Sequence, residues 1–454
     1  MSACDWRGVL DDEVDRLADR IRSVRRHLHA HPEPSGEEYA TTAYLTDQLR
    51  SEGIATRIAP SRRGLIADAP DSVLDAVATT TGKPLPTRAR LAIRADIDAL
   101  PIQDVKSVPY RSLRPGVMHA CGHDAHAAMA LGATLALHRA SQRQAPPWPV
   151  PWRTIFQPAE ETATGAREMI QAGALDEVAA IVALHVDPER PVGTIGYRHG
   201  ALTACVETLE VVVEGEGGHA ARPHQCVDAI AAAVQFINAV YQGIPRSIDS
   251  RDPVVVSFGA VQGGASPNVI PAKVSLLGTI RTLSRDTLAR IRDRVHRIAQ
   301  GVELTTQARI RVATHPVTDG VVNDGRVTRA CVQAATRVVG HQRVWPIELP
   351  SMGGEDFAAY LDHVPGCLLR LGVAPDQGGS PFLHSPHFDL DERALVIGAR
   401  ILAHVLAHLA RPENHDESAE FAALPVAGRL PSSPASPSPC VSPSTPISRE
   451  GIVR

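Results

Sequence analysis

The chain has 454 residues, with 46 basic against 50 acidic side chains, a net charge of −4, and 44% hydrophobic residues. This length suits roughly two or three domains at ~150 residues each, and the near-neutral charge gives no electrostatic footprint for nucleic acid. No apolar run approaches the ~18 residues needed to cross a bilayer, and the start Met1-Ser2-Ala3-Cys4-Asp5-Trp6 has neither the basic nor the apolar region of a signal peptide. Seven cysteines, an odd number at wide spacing, argue against a disulfide framework, so a reducing cytoplasm is the expected location. Lysine occurs only at Lys83, Lys106 and Lys273, none of them in a phosphate-loop motif, whereas several of the 20 histidines stand beside Cys, Asp or Glu. That pattern points to metal chemistry.

In chain order, Val14, Leu17, Ile21, Val24 and Leu28 fall at helical spacing, and the pattern stops at His31-Pro32. A second helix is predicted from about Gly36 to Ser51. Asp68–Arg90 reads as irregular, and the proline-rich Ala145–Pro151 reads as a surface excursion around Trp148. Leu91–Arg94, Thr154–Phe156 and Ala180–Leu184 read as short buried strands, with a helix running from Gly122 through Leu137. This is an α/β layout with its motifs at the C-terminal ends of strands, where open sheets place their sites.

The middle of the chain differs. Strands are predicted at Val206–Val213, Val254–Val261, Lys273–Leu283 and from Ile310, with helices over Val227–Val240 and Leu288–Val302, the latter capped by Ser284. The order β-α-β-β-α-β is a ferredoxin-like split unit. The predicted organisation is a catalytic domain in two parts, 1–202 and 317–410, with an α+β domain inserted at 203–316. From Pro431 to Ser448 there are six prolines and seven serines in 18 residues, so 411–454 is expected to be a disordered tail.

Several short motifs carry chemistry. Cys121 and His123 form a C-x-H pair around Gly122, which permits a tight turn onto one metal ion or two adjacent ones; a helix cap with a buried Cys and His would look the same. Glu160 and Glu161 follow Gln157-Pro158-Ala159, so one carboxylate could bind a metal while the other moves a proton, although paired glutamates also occur on solvated helix faces. His185 ends an apolar run, where a histidine is commonly structural. Asp96 and Asp98 follow the strand at Leu91–Arg94, in a pattern an ordinary turn also gives. His384 and His387 lie in Leu383-His384-Ser385-Pro386-His387, and Gly353-Gly354-Glu355-Asp356-Phe357 is a glycine loop before a helix.

Together these motifs resemble the metal-dependent amidohydrolases that include hippurate hydrolase, N-acyl-amino-acid hydrolases and the plant auxin-conjugate hydrolases, within a clan of dinuclear aminoacylases, dipeptidases and carboxypeptidases. The resemblance begins at Arg26-His27-Leu28-His29-Ala30-His31-Pro32-Glu33. It continues through RADIDALP, HACGHD, QPAEE, ALHV, GGHAARPH, NVIPAKV, GGEDF and LHSPHF, covering about residues 14–405. It implies a zinc-peptidase-like α/β catalytic domain with an inserted ferredoxin-like lid and dimerisation domain. It implies two divalent ions per subunit, manganese or zinc, held by Cys121, His123, Glu161, His185 and His384, with Cys121 where the wider clan has a bridging Asp. Asp96 stands where that clan often has a metal-binding His, so it is not expected to be a ligand. Glu160 matches the general base, and Asp98 the carboxylate that orients the site. His219 and Asn268 match lid residues that reach a partner subunit's active site. Arg281 matches a group for the substrate carboxylate, and Gly353 is a further substrate-side candidate. Asp124, Glu355 and Asp356 look like supporting or capping groups, and His119, His126, His224 and His387 are given no direct metal role. The expected activity is hydrolysis of N-acyl amino acids by a cytoplasmic homodimer that binds neither nucleic acid nor membrane. The alternatives are a dipeptidase or carboxypeptidase of the same clan, or a non-catalytic metal- or ligand-binding protein on the same fold. The spare carboxylate of Glu160 favours an enzyme.

Overall fold

The computed structural model describes residues 6–73, 89–376 and 381–411. The Pro/Ser-rich tail, Cys4, Cys440 and most of the irregular stretch between Asp68 and Arg90 lie outside these residues.

The larger sheet is mixed and eight-stranded. Its spatial order is Thr56–Ile58, Leu65–Asp68, Trp152–Gln157, Arg90–Asp96, Val178–Pro191, Gly366–Ala374, Ile195–Tyr197, Val344–Pro346. The central strands Trp152–Gln157, Arg90–Asp96, Val178–Pro191 and Gly366–Ala374 run parallel. Arg90–Asp96 and Trp152–Gln157 are buried along their whole length, which is why they read as apolar runs without alternation. The helices Trp6–Arg16, Ala18–Ala30, His123–Arg143 and Arg393–Leu409 contribute to one core over this sheet, through residues such as Leu10, Ile21, Leu131 and Leu402.

A second sheet, all antiparallel, has the order Val254–Gly263, Lys273–Thr282, Cys205–Glu214, Arg309–Thr318. In chain order its strands are numbered 2-3-1-4, the ferredoxin-like arrangement. The helices Ala229–Gly243 and Arg285–Thr306 cover one face and build a separate core around Phe236, Ile291 and Val295. Ser284 caps the second of these helices by accepting the Thr287 N–H, as its sequence predicts. The alternating burial of Lys273–Thr282 shows a strand with one covered face.

Two local expectations are corrected. The first apolar stripe is carried by two helices that meet at Leu17. The stripe stays continuous, because Val14, Leu17, Ile21, Val24 and Leu28 are all buried. The strand expected to end near His185 runs on to Pro191, because Gly366–Ala374 pairs with it beyond that point. The loop around Trp148 is tethered, since the indole N–H donates to the Ala407 carbonyl at 2.9 Å.

Candidate metal centre

Gly122 begins the site. It caps the helix His123–Arg143 in the left-handed region (φ +83°), and a Cβ there would stand 2.5 Å from Val186 Cγ2. Only glycine accommodates both the turn and that approach. The turn sets Cys121 and His123 side by side, facing the strand that carries His185. Cys121 Sγ lies 3.6 Å from His185 Nε2. His185 Nδ1 donates to the Val186 carbonyl at 2.8 Å, and burial holds the ring neutral, so its Nε2 lone pair faces the thiol. His123 Nδ1 is engaged by Asp98, at 3.0 Å to both Oδ1 and the carbonyl oxygen, which leaves Nε2 buried without a hydrogen-bond partner.

Asp98 also accepts from Ser35 Oγ at 2.6 Å and from the Glu161 N–H at 3.0 Å. Burial works against its charge, but these donors, with His123 foremost, outweigh it and hold the carboxyl below its usual pKa. The Glu161 carboxylate stands 3.9 Å from His123 Nε2 and 3.5 Å from His384 Nε2. His384 arrives on an exposed loop with a positive φ of 64°, fastened where its N–H donates to the Ala120 carbonyl at 2.8 Å. Ala159, just before Glu160, is also left-handed at φ 51°. Such backbone is held only where the surroundings over-determine it.

Donor atoms of Cys121, His123 and His185 lie within 4.8 Å of one another, and so do those of Cys121, Glu161 and His384. Cys121 belongs to both trios. Asp96, His123 and His126 are equally close, but Asp96 and His126 are committed to each other at 2.6 Å, Asp96 also to Arg94 at 2.6 Å, and His126 Nε2 to the Val186 N–H at 2.9 Å. Glu160 faces Glu355 and Asp356, whose backbone N–H approaches Glu160 Oε1 at 3.4 Å. Burial, then these two neighbouring carboxylates, push Glu160 well above the usual carboxylate range.

Residues 92–408 match peptidase family M20/M25/M40. The chain belongs to that family. It is 39% identical over 384 residues to the N-acetylcysteine deacetylase of Bacillus subtilis, covering 85% of this chain and 95% of the relative. It is 33% identical over 404 residues to thermostable carboxypeptidase 2 of Saccharolobus solfataricus, covering 87% and 96%. The crystal structure of the Bacillus subtilis YXEP protein, described as a dinuclear metal-binding peptidase of family M20, superposes with a TM-score of 0.72 at 35% identity, covering 87% of this chain and 98% of that one. This M20 chain is therefore a metal-dependent amidohydrolase, an enzyme acting on amide or peptide bonds through divalent ions.

The donor atoms fit such ions. Burial pushes the Cys121 thiol far above its ordinary pKa, so a cation alongside is what would hold it as thiolate. His123 and His185 each present one free ring nitrogen, with the other fixed by a hydrogen bond, as metal-binding imidazoles require.

The remaining sequence candidates lie apart from this cluster. His219 is exposed, its Nδ1 accepting from the Ala221 N–H at 3.1 Å, on a short ladder where it pairs with Val269 beside Asn268. Arg281 donates to the Met352 carbonyl at 2.9 Å, and Gly353 O accepts from the Ala204 N–H at 3.0 Å. Among the described residues, no hydrogen bond or ion pair joins His219, Asn268, Arg281 or Gly353 to the Cys121 cluster within one chain.

Sequence reasoning missed Arg94. It is fully buried and donates to Gln157 at 2.8 Å, Asp96 at 2.6 Å and Asp356 at 2.8 Å, so one guanidinium ties together the ends of two strands and the glycine loop behind Glu160. An arginine inside the apolar run Leu91–Ala95 was the available signal. His119 is buried with both ring nitrogens unpartnered, and burial lowers its pKa to about 4, keeping it neutral.

No helix among the described residues is long and apolar enough to cross a membrane.

Proposed function

We propose that this enzyme hydrolyses the amide bond of N-acyl amino acids. The observation that carries the reading is the pair of donor trios sharing Cys121, with a further carboxylate beside them, Glu160, whose Oε2 stands 4.0 Å from His123 Nε2 in a third trio with Glu161. A binding site needs the ligands alone; a hydrolase needs one more group to move a proton. The deacetylase among the relatives supports an N-acyl substrate, and the carboxypeptidase keeps peptide cleavage as the second reading.

In this proposal Cys121, His123, Glu161, His185 and His384 hold two divalent ions, manganese or zinc. Bound there, the ions supply Lewis acidity to an amide carbonyl and to water. Glu160 takes the proton of the attacking water and returns it to the departing amine. Asp98 fixes the His123 ring and the Glu161 backbone. Residues 203–316 act as a lid and dimerisation domain. In a homodimer His219 of one subunit stabilises the oxyanion formed in the other, while Asn268, Arg281 and Gly353 stand on the substrate side. The cytoplasm is the proposed location.

The test is a hydrolysis screen of N-acetyl, N-benzoyl and indoleacetyl amino acids against dipeptides, using metal-free protein reloaded with zinc, manganese or cobalt. Release of amino acid from the acyl substrates is expected. Turnover confined to the dipeptides would replace this reading with the second one.

A further inference from the structure

Behind the metal centre lies a buried ionic network that the proposed mechanism does not use. Arg25, on the helix Ala18–Ala30, has a guanidinium with no solvent exposure. Its Nε donates to Asp124 Oδ2 at 2.9 Å and its Nη2 to Asp389 Oδ1 at 2.8 Å. Asp124 directly follows His123 at the start of the helix His123–Arg143. Asp389 lies five residues after His384. One planar fork thus spans the two segments that carry those histidines.

We infer that Arg25 is a positioning residue of the metal centre, fixing the spacing between His123 and His384 by holding Asp124 and Asp389 at once. The inference rests on the proposed metal ligands. Each carboxylate is held from a second direction. His29 Nδ1 meets Asp124 Oδ2 at 2.7 Å, and Tyr110 donates its hydroxyl to Asp389 Oδ2 at 2.8 Å, while the Arg25 guanidinium lies 4.7 Å from the centre of the Tyr110 ring. The tether matters most for His384. Its side chain is half exposed, with Glu161 at 3.5 Å and Cys121 within 4.8 Å as its neighbours in the donor trio. Packing of the Arg25 helix does not require the charge, because Ile21, Val24 and Leu28 already bury its apolar face. A buried guanidinium is costly to desolvate, and a fork reaches two separated carboxylates as a lysine point charge cannot.

The test titrates metal-free protein with Mn²⁺ or Zn²⁺ by calorimetry. Arg25→Lys should leave the melting temperature of the metal-free protein near that of wild type and one ion tightly bound, while weakening the other by about 10–100-fold, the usual effect of losing an outer support. Arg26→Lys, which loses a contact to Glu392 at the surface, should bind both ions as wild type does. Two ions bound by Arg25→Lys within about threefold of wild type would overturn the inference, as would an equal loss in Arg26→Lys. Should Arg25→Lys fail to fold, Asp389→Asn decides: weakening of one ion supports the inference and unchanged binding overturns it. A wild-type protein that takes up no ion would overturn the ligand assignment and this inference with it. Two ions in wild type with unaffected variants would overturn this inference alone.

Discussion

Asp98 accepts a hydrogen bond from His123 Nδ1 at 3.0 Å, and so decides that Nε2 is the nitrogen left facing Cys121 and Glu161. The same carboxylate holds the Glu161 N–H. Asp98→Ala should therefore lower divalent-metal affinity by about 10–100-fold, as the loss of a carboxylate behind a ligating imidazole typically does. Calorimetric titration of the metal-free variant measures it. Affinity equal to wild type would show that His123 is oriented by its helix alone.

Glu160→Gln removes a base without removing a proposed ligand. Turnover should fall by about 10²–10⁴-fold, the range for loss of general acid–base assistance, with both ions retained. Native mass spectrometry counts the ions alongside the kinetics. Activity within about tenfold of wild type would remove Glu160 from that role.

Cys121→Ala should lose metal and activity, since Cys121 is shared by the trio with His123 and His185 and the trio with Glu161 and His384. Cys205 is buried in the core of the small sheet, and its sulfur accepts the Gly320 N–H at 3.3 Å. Cys205→Ala should lower the melting temperature while leaving metal content intact.

The parts of this protein legible in its sequence are those whose signal is local. Alternation along Lys273–Thr282 and helical spacing along Leu288–Val302 each fall within about twenty residues, and they reveal the β-α-β-β-α-β unit. Cys121, His123, Glu160 and Glu161 are legible because the turn at Gly122 and the strand end at Gln157 bunch chemically active residues. Arg25 and Arg94 are not legible as supports, because their partners come from far along the chain. Asp124 is 99 residues from Arg25, and Asp356 is 262 residues from Arg94. No periodicity records such a pairing. The continuation of the His185 strand to Pro191 was hidden for a related reason, since its partner strand begins only at Gly366.

Glu52, in the turn that follows the helix Tyr39–Arg50, pairs with Arg20 and with Arg139 on two other helices, the latter through two bonds of 2.9 and 2.7 Å. Hydrogen bonding from Arg139, then from Arg20, holds its pKa down at about 2, from an ordinary 4.5. A carboxylate depressed on folding stabilises the protein above its unfolded pKa, and that stability drains away as the pH falls from about 4.5 to about 2. Glu52→Gln should thus cost about 1–2 kcal/mol at pH 7, after allowance for partial solvent screening. The gap from wild type should narrow through that acid window. Denaturant unfolding at a series of pH values reads the gap directly, and a gap independent of pH would mean that the pair contributes no net charge–charge stability.

His219 provides the strictest test of the proposed dimer. It is exposed and, among the described residues, no hydrogen bond or ion pair joins it to the Cys121 cluster of its own chain. If it completes the partner's site as an oxyanion donor, His219→Ala should cost on the order of 2.7–4 kcal/mol of transition-state stabilisation while the ions stay bound. Mixing His219→Ala with Glu160→Gln is sharper, because each variant is nearly inactive alone. A mixed dimer contains one site with both defects and one with neither, so subunit exchange should restore activity. Verified mixed dimers that stay inactive would place the histidine's action within its own chain, or outside catalysis altogether.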